Sequence, residues 1–263
     1  MSNQMYQQPY AQAPGATEGA VPGEVYQQAE MQRLGSLIRV FKPTSIWVAL
    51  AISAGVLILD LGLMFALWLA DRISIYLLIV PIFLIVYVVN AIRSNNHKAY
   101  LYQEGFIYAN GSQLHAVRWD HVEAVWQKQV SYSIWSTRST YTVKRPDGAQ
   151  VVISSHVHKV RELGDAILNE VTKRHLPLAQ QVYNSGAPVP FGNLSIGMQG
   201  IGFRDKLLPW PEVKDVVIVN GQVQVKRQGN MINFATVQVA DVPNLPVMMQ
   251  LVANGLRSVP PMR

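Results

Sequence analysis

Residues 46–70 read IWVALAISAGVLILDLGLMFALWLA, 25 positions with a single charge, and residues 75–92 read IYLLIVPIFLIVYVVNAI, 18 positions with none. As helices they would extend about 37 and about 27 Å, against a bilayer hydrocarbon core of about 30 Å. The first begins only after 45 mostly polar residues, too far in for a secretory signal peptide. A buried hairpin of a soluble core is the competing reading, but helices apolar all round need more covering material than this chain offers. Only Asp71, Arg72, Ile73 and Ser74 separate the two stretches. The spacing therefore predicts a two-helix transmembrane hairpin over 46–92, with spans 46–70 and 75–92 and both flanks on one side. Arg33, Arg39 and Lys42 precede it, and Arg93 and Lys98 follow. The positive-inside rule then puts both termini in the cytoplasm, in a multi-pass cell-membrane protein.

Composition agrees with that reading. Charged residues make up 14% of the 263, against about 25% in an ordinary soluble domain. The shortage sits in 46–92, where Asp60, Asp71 and Arg72 are the whole complement. Residues 98–263 carry 17 Lys and Arg against 11 Asp and Glu, which by itself equals the chain's net charge of +6. That basicity is mild and mixed with acids, so no nucleic-acid partner is expected. The absence of cysteine excludes disulfides, thiolate metal sites, Fe–S clusters and cysteine nucleophiles.

Asp60 lies near the middle of the first span, where a carboxylate is costly unless neutral or paired. Folding the hairpin about Arg72 sets it near the level of Ile85, with the Tyr87 hydroxyl within reach. One reading is a hydrogen bond to Tyr87 or to a second copy of the hairpin, which would favour a homo-oligomer. The other is a proton or ion site, although two helices with one acid cannot line a path.

Before the hairpin, residues 1–24 are rich in Gln, Pro, Gly and Ala without Lys or Arg, a composition that predicts a disordered tail. Over 25–42, Leu34, Leu37, Ile38 and Phe41 recur at helical spacing with Arg33 and Arg39 between them. This predicts an amphipathic juxtamembrane helix, or an extension of the first span, ending at Pro43.

After Lys98 the chain repeats itself. EGFIYANGSQLHAVRWDHVEAVW (104–126) is answered by QGIGFRDKLLPWPEVKDVVIV (199–219), each with Gly, a short apolar strand, a turn and Trp-x-x-Val-x-x-Val. Val143-Lys144-Arg145 and Val225-Lys226-Arg227 each end a strand at a glycine-containing turn. Each half closes on a helix: Val160, Leu163, Ile167 and Val171 before Pro177, then Leu245, Met248, Met249, Val252 and Leu256 after Asn244 as N-cap. Short alternating strands followed by one helix predict a bent antiparallel sheet or small barrel plugged by that helix.

The Gly105-Phe106-Ile107-Tyr108 strand, the Trp119-Asp120-His121-Val122 turn, the hairpin over 144–148 and the helix over 157–175 together resemble bacterial pleckstrin-homology-like (PH-like) domains beside transmembrane segments. The likeness covers 97–176 and, through the repeat, 188–257. It implies a membrane-anchored α+β protein in which the transmembrane hairpin is followed by two PH-like units acting as binding or scaffolding modules. It does not imply phosphoinositide recognition.

Chemical motifs are few. His156 and His158 would share a face on a strand, yet no third ligand has matching spacing and the second half reads Gln238-Val239-Ala240-Asp241 there, so no metal is expected. Neither a G-x-S-x-G elbow nor a phosphate-binding glycine loop occurs, and no enzyme and no cofactor are expected. Lys144, Arg145, Lys226 and Arg227 on the turns, with Lys128 and Arg138 flanking an insertion around Trp126–Trp135, are the candidate contacts for anionic lipid headgroups or a membrane protein partner. Solvated hairpin edges kept soluble by charge would look the same. The function expected is a non-enzymatic membrane-anchored binding or scaffolding protein. The alternative is a small accessory subunit of a transport or envelope complex acting through the hairpin and Asp60.

Overall fold

The computed structural model describes residues 21–43, 46–69, 79–133 and 136–258. The expected tail up to residue 20, the inter-span turn 71–74 and positions 75–78 of the second span lie outside the described residues. The protein is α+β, with antiparallel sheets. It divides into two compact units, one running to Ala116 with His156–Lys159, the other comprising Val117–Ser155 with Val160–Arg263.

In the first unit, helix α1 (Gly23–Met31) begins after Pro22 and carries Glu24 in its first turn, where a carboxylate suits the helix dipole. Past its last residue and the cap Gln32, Arg33 takes a left-handed φ of 51°. The Leu34 N–H donates to the Ala29 carbonyl at 3.0 Å and the Arg33 N–H to that of Glu30 at 2.9 Å, the paired bonds of a Schellman stop. Leu34 and Ala29, which such a stop brings together, are both buried. Gly35, with φ 76°, then lets the chain turn against Gln103. Strand β1 follows (Leu37–Phe41). The helix expected over 25–42 is therefore replaced by a helix, a stop and a strand, and Gly23 and Glu24 belong to α1 rather than to the tail. The apolar recurrence was real but served two geometries: Leu34 staples the helix end, while the β-branched Ile38 and Val40 suit a strand.

Strand β1 pairs with β2 (His97–Tyr102), placing Val40 opposite Tyr100 and Phe41 opposite Ala99. The sheet continues through β3 (Gly105–Asn110) and β4 (Gln113–Arg118) in the order β1-β2-β3-β4. Val25 and Ala29 of α1 pack with Tyr100, Tyr102, Ile107 and Ala109. Between the paired strands β1 and β2 the chain leaves to form α2 (Ile46–Leu69) and α3 (Ile79–Asn95), which contact each other. Of the two, α2 is long and apolar enough to cross a membrane, while α3 is a shorter apolar helix. Large side chains of α2 such as Trp47, Ile58 and Leu59 are exposed, whereas Ala49, Ser53 and Asp60 are buried. The last three fall on one side of a 3.6-residue helix.

In the second unit, a 3-10 turn led by buried Trp119 opens into β5 (Ala124–Ser133), β6 (Ser136–Lys144) and β7 (Gln150–Ile153). Helix α4 (Val160–Asn184) follows. It does not stop before Pro177 as expected. That residue is exposed, so water can serve the carbonyl that its missing N–H leaves free. The second repeat gives a four-stranded sheet, β8 (Val189–Phe191), β9 (Leu194–Gly197), β10 (Gly200–Phe203) and β11 (Lys206–Pro209). A turn led by Trp210, a meander of β12 (Val213–Val219), β13 (Gln222–Arg227) and β14 (Asn233–Gln238), and helix α5 (Leu245–Arg257) complete it.

Both halves thus run four strands, a Trp-led turn, three strands and a helix. The first half starts its count at β1, ahead of α2 and α3. The boundary between compact units, at Ala116–Val117, falls within the first repeat.

Asn244 does not cap α5 with its side chain. Instead its backbone N–H donates to the Val125 carbonyl at 2.9 Å, and its Oδ1 accepts the Val125 N–H at 3.0 Å. His175 Nε2 bonds the Val122 carbonyl at 2.9 Å. A carbonyl only accepts, so that nitrogen bears the proton and Nδ1 is left to accept from the Asn244 amide at 3.4 Å. These bonds tie the start of α5 to β5 and α4.

Candidate functional site

The basic candidates fall into two groups. In the β6–β7 turn, Lys144 donates to the Glu123 carboxylate at 2.7 Å. Arg145 is paired with Asp147, which also accepts the Ala149 N–H at 3.0 Å and so shapes the turn. The Arg145 guanidinium holds the Asp147 carboxyl below its usual range, and Arg145 is itself pushed up by the same bond. Arg227 pairs with Glu212 at 2.6 Å. Lys144, Arg145 and Arg227 are thus engaged by acids of the same unit. Lys226 is half-buried at the end of β13.

Lys128 and Arg138 are both exposed, and the structure brings them together. Lys128 lies opposite Thr140 and Val130 opposite Arg138, so the two cations are diagonal neighbours on one face of the β5–β6 ladder.

Asp60 is only 7% exposed, and its Oδ2 has no hydrogen-bond partner among the described residues. Tyr87 is exposed and does not reach it, so the expected Asp60–Tyr87 bond is not formed. Length along a hairpin sets the level of a residue, whereas which side chains meet depends on the rotation of each helix about its axis, which length does not fix. Ser53 on the same stripe bonds its own helix, donating to the Ala49 carbonyl at 2.8 Å.

The histidines regroup. His158 is exposed and apart, while the His156 ring stacks on His97 with centroids 5.1 Å apart. His97 Nδ1 lies 2.8 Å from the Tyr108 hydroxyl, and the Tyr108 ring stacks near His115 at 6.4 Å. Burial, and then the charge of His156, lower the pKa of His97 below 6.5. Among the described residues no group of three or more His, Asp or Glu side chains could hold a metal. Sequence reading missed this row because its members are brought together by strand pairing rather than by spacing.

Sequence reading also passed over the β13–β14 tip. Met231 is fully exposed and Ile232 is 77% exposed. Beside them Phe234 meets Phe203 edge to face at 6.4 Å, and the Arg204 guanidinium lies 5.3 Å over the Phe203 ring. A cavity of about 270 Å³ beside α1 is lined by Tyr26, Glu30, Arg33 and Tyr102 among others, without a nucleophile–base pair.

An α+β protein with an apolar helix of spanning length and a repeated sheet-and-helix module is the class that fold and site define. The profile of a family of unknown function (DUF6585) matches residues 1–261, and the chain belongs to that family. No curated protein matches it.

Proposed function

We propose that this is a non-catalytic, membrane-anchored binding or scaffolding protein, in which α2 and α3 form a transmembrane hairpin and the two sheet-and-helix repeats are PH-like modules on the cytoplasmic face. Its ligands are anionic headgroups or a membrane protein partner, met in part through Lys128 and Arg138. The observation that carries the reading is the pairing of β1 with β2 across the inserted helices. A chain that leaves one strand and returns to its immediate neighbour begins and ends on the same side, which supports an even number of crossings and suits the basic flanks. The repeated order of strands, Trp-led turn and helix supports the PH-like assignment.

The chain lacks cysteine, so single cysteines report topology directly. In intact cells a membrane-impermeant maleimide should label Ser74→Cys, and should label Asp205→Cys only after permeabilisation. Labelling of Asp205→Cys from outside, or of neither before permeabilisation, sinks the topology.

The unpartnered Oδ2 of Asp60 favours a second reading, in which a donor on another helix completes this site and the protein serves as an accessory subunit. Asp60→Leu should then abolish helix–helix cross-linking that Asp60→Asn retains.

A further inference from the structure

We infer that the β13–β14 tip of the second repeat is a bilayer-docking element, which seats Met231 and Ile232 among lipid acyl chains while the neighbouring cations meet anionic headgroups. This rests on the reading of α2 as a bilayer anchor.

The tip is built rather than frayed. Gly229 takes a left-handed φ of 66°. Asn230 Oδ1 accepts the Ile232 N–H at 3.1 Å, so the turn serves its own polar backbone there. Met231 and Ile232 are left pointing into solvent and contribute little to the core of their unit. Turn geometry does not demand apolar residues, because the corresponding turn of the first repeat reads Arg145-Pro146-Asp147-Gly148-Ala149-Gln150 and is polar. Phe203 and Phe234 join this tip to the β10–β11 turn. Stretches 203–207 and 226–233 hold Arg204, Lys206 and Lys226 against Asp205, together with Arg227, which is paired with Glu212. An apolar point within a basic surround matches the layering of an anionic leaflet, with hydrocarbon beneath negative headgroups. A protein groove would have no such general need for the cations. Two apolar side chains alone are a weak anchor, but a module tethered by α2 already sits at high effective concentration near lipid, so a weak second contact suffices.

The test uses the full chain in vesicles of equal parts phosphatidylcholine and phosphatidylglycerol, some of the lipid carrying an acyl-chain nitroxide. A fluorophore is placed singly at Met231→Cys, at Leu59→Cys on the exposed face of α2 and at Gln181→Cys on the exposed side of α4. Quenching at 231 should be several-fold stronger than at 181 and should weaken when phosphatidylglycerol is replaced by phosphatidylcholine. Quenching at 231 no stronger than at 181 overturns the inference, as does shielding of the 231 probe from aqueous iodide without lipid quenching, the signature of contact with another protein copy. Leu59→Cys separates the two readings. Quenching at 59 without quenching at 231 removes the docking tip alone, whereas an unquenched 59 removes the anchor and, with it, the docking tip that rests on it.

Discussion

Gly164 in α4 and Gly255 in α5 occupy matching roles in the two halves. A Cβ on the first would run into the Tyr141 ring, and on the second into the Trp210 ring. Each glycine lets a helix approach an aromatic anchor of its sheet, closer than any side chain allows. Gly255→Ala and Gly164→Ala should each lower stability by about 1–3 kcal/mol through overpacking, seen as a lower thermal midpoint. A wild-type midpoint would mean that the rings move aside freely. His97 gives a prediction in pH. Its folded pKa lies below the 6.5 of the unfolded chain, so between the two values only the unfolded chain binds the proton. The stability this group contributes is whole above about pH 6.5 and is lost as the pH falls through its folded value. Tyr108 and His156 face it, with His115 beyond the Tyr108 ring, and His156 supplies the repulsive charge. His156→Asn should shrink the drop in thermal midpoint between about pH 7.5 and about pH 5.5. An unchanged drop would place the acid sensitivity elsewhere.

At the level of elements, the segment before the apolar helices belongs to a sheet rather than to the membrane surface. Leu34 is completely buried where α1 stops, in the cluster that includes Tyr100 and Ile107. Leu34→Ala should cost about 2–5 kcal/mol by opening a cavity there, measured by chemical denaturation in detergent. A surface helix over the same residues would lose far less. The difference shows what a sequence can reveal. The apolar run of α2, the two Trp-led turns and the polar turn after Lys144 are local, written in neighbouring residues. Strand β1 is not, because its partner begins at His97, beyond two helices, and a five-residue strand cannot advertise so distant a ladder. The same limit hid the His97–His156 stack, the Gly255–Trp210 approach and the bond from Asn244 to Val125. Pro177 misled in the other direction, since a proline rule applied along the chain takes no account of exposure.

On the scale of the whole molecule, duplication and insertion are separate events in the architecture. The second repeat shows that four strands, a turn, three strands and a helix are complete without inserted apolar helices. In the first, the apolar helices interrupt the connection between two adjacent strands whose near ends, Phe41 and Ala99, are paired. Replacing residues 44–95 by a short glycine-rich turn should therefore give a chain that stays monodisperse without detergent and retains its sheet signal by circular dichroism. Aggregation of that variant would show that the helices are needed for folding.

The same interruption sets a timetable. During synthesis β1 emerges from the ribosome long before β2, and the strand that completes it emerges only after both apolar helices have done so. Closing so long a loop adds little entropy, since each doubling of length costs only about 0.6 kcal/mol. Waiting is the greater hazard, because an unpaired strand edge is open to wrong partners until its neighbour arrives. Where the helices enter a bilayer, the first sheet closes only after their insertion, so the β1–β2 ladder becomes a record that insertion has succeeded.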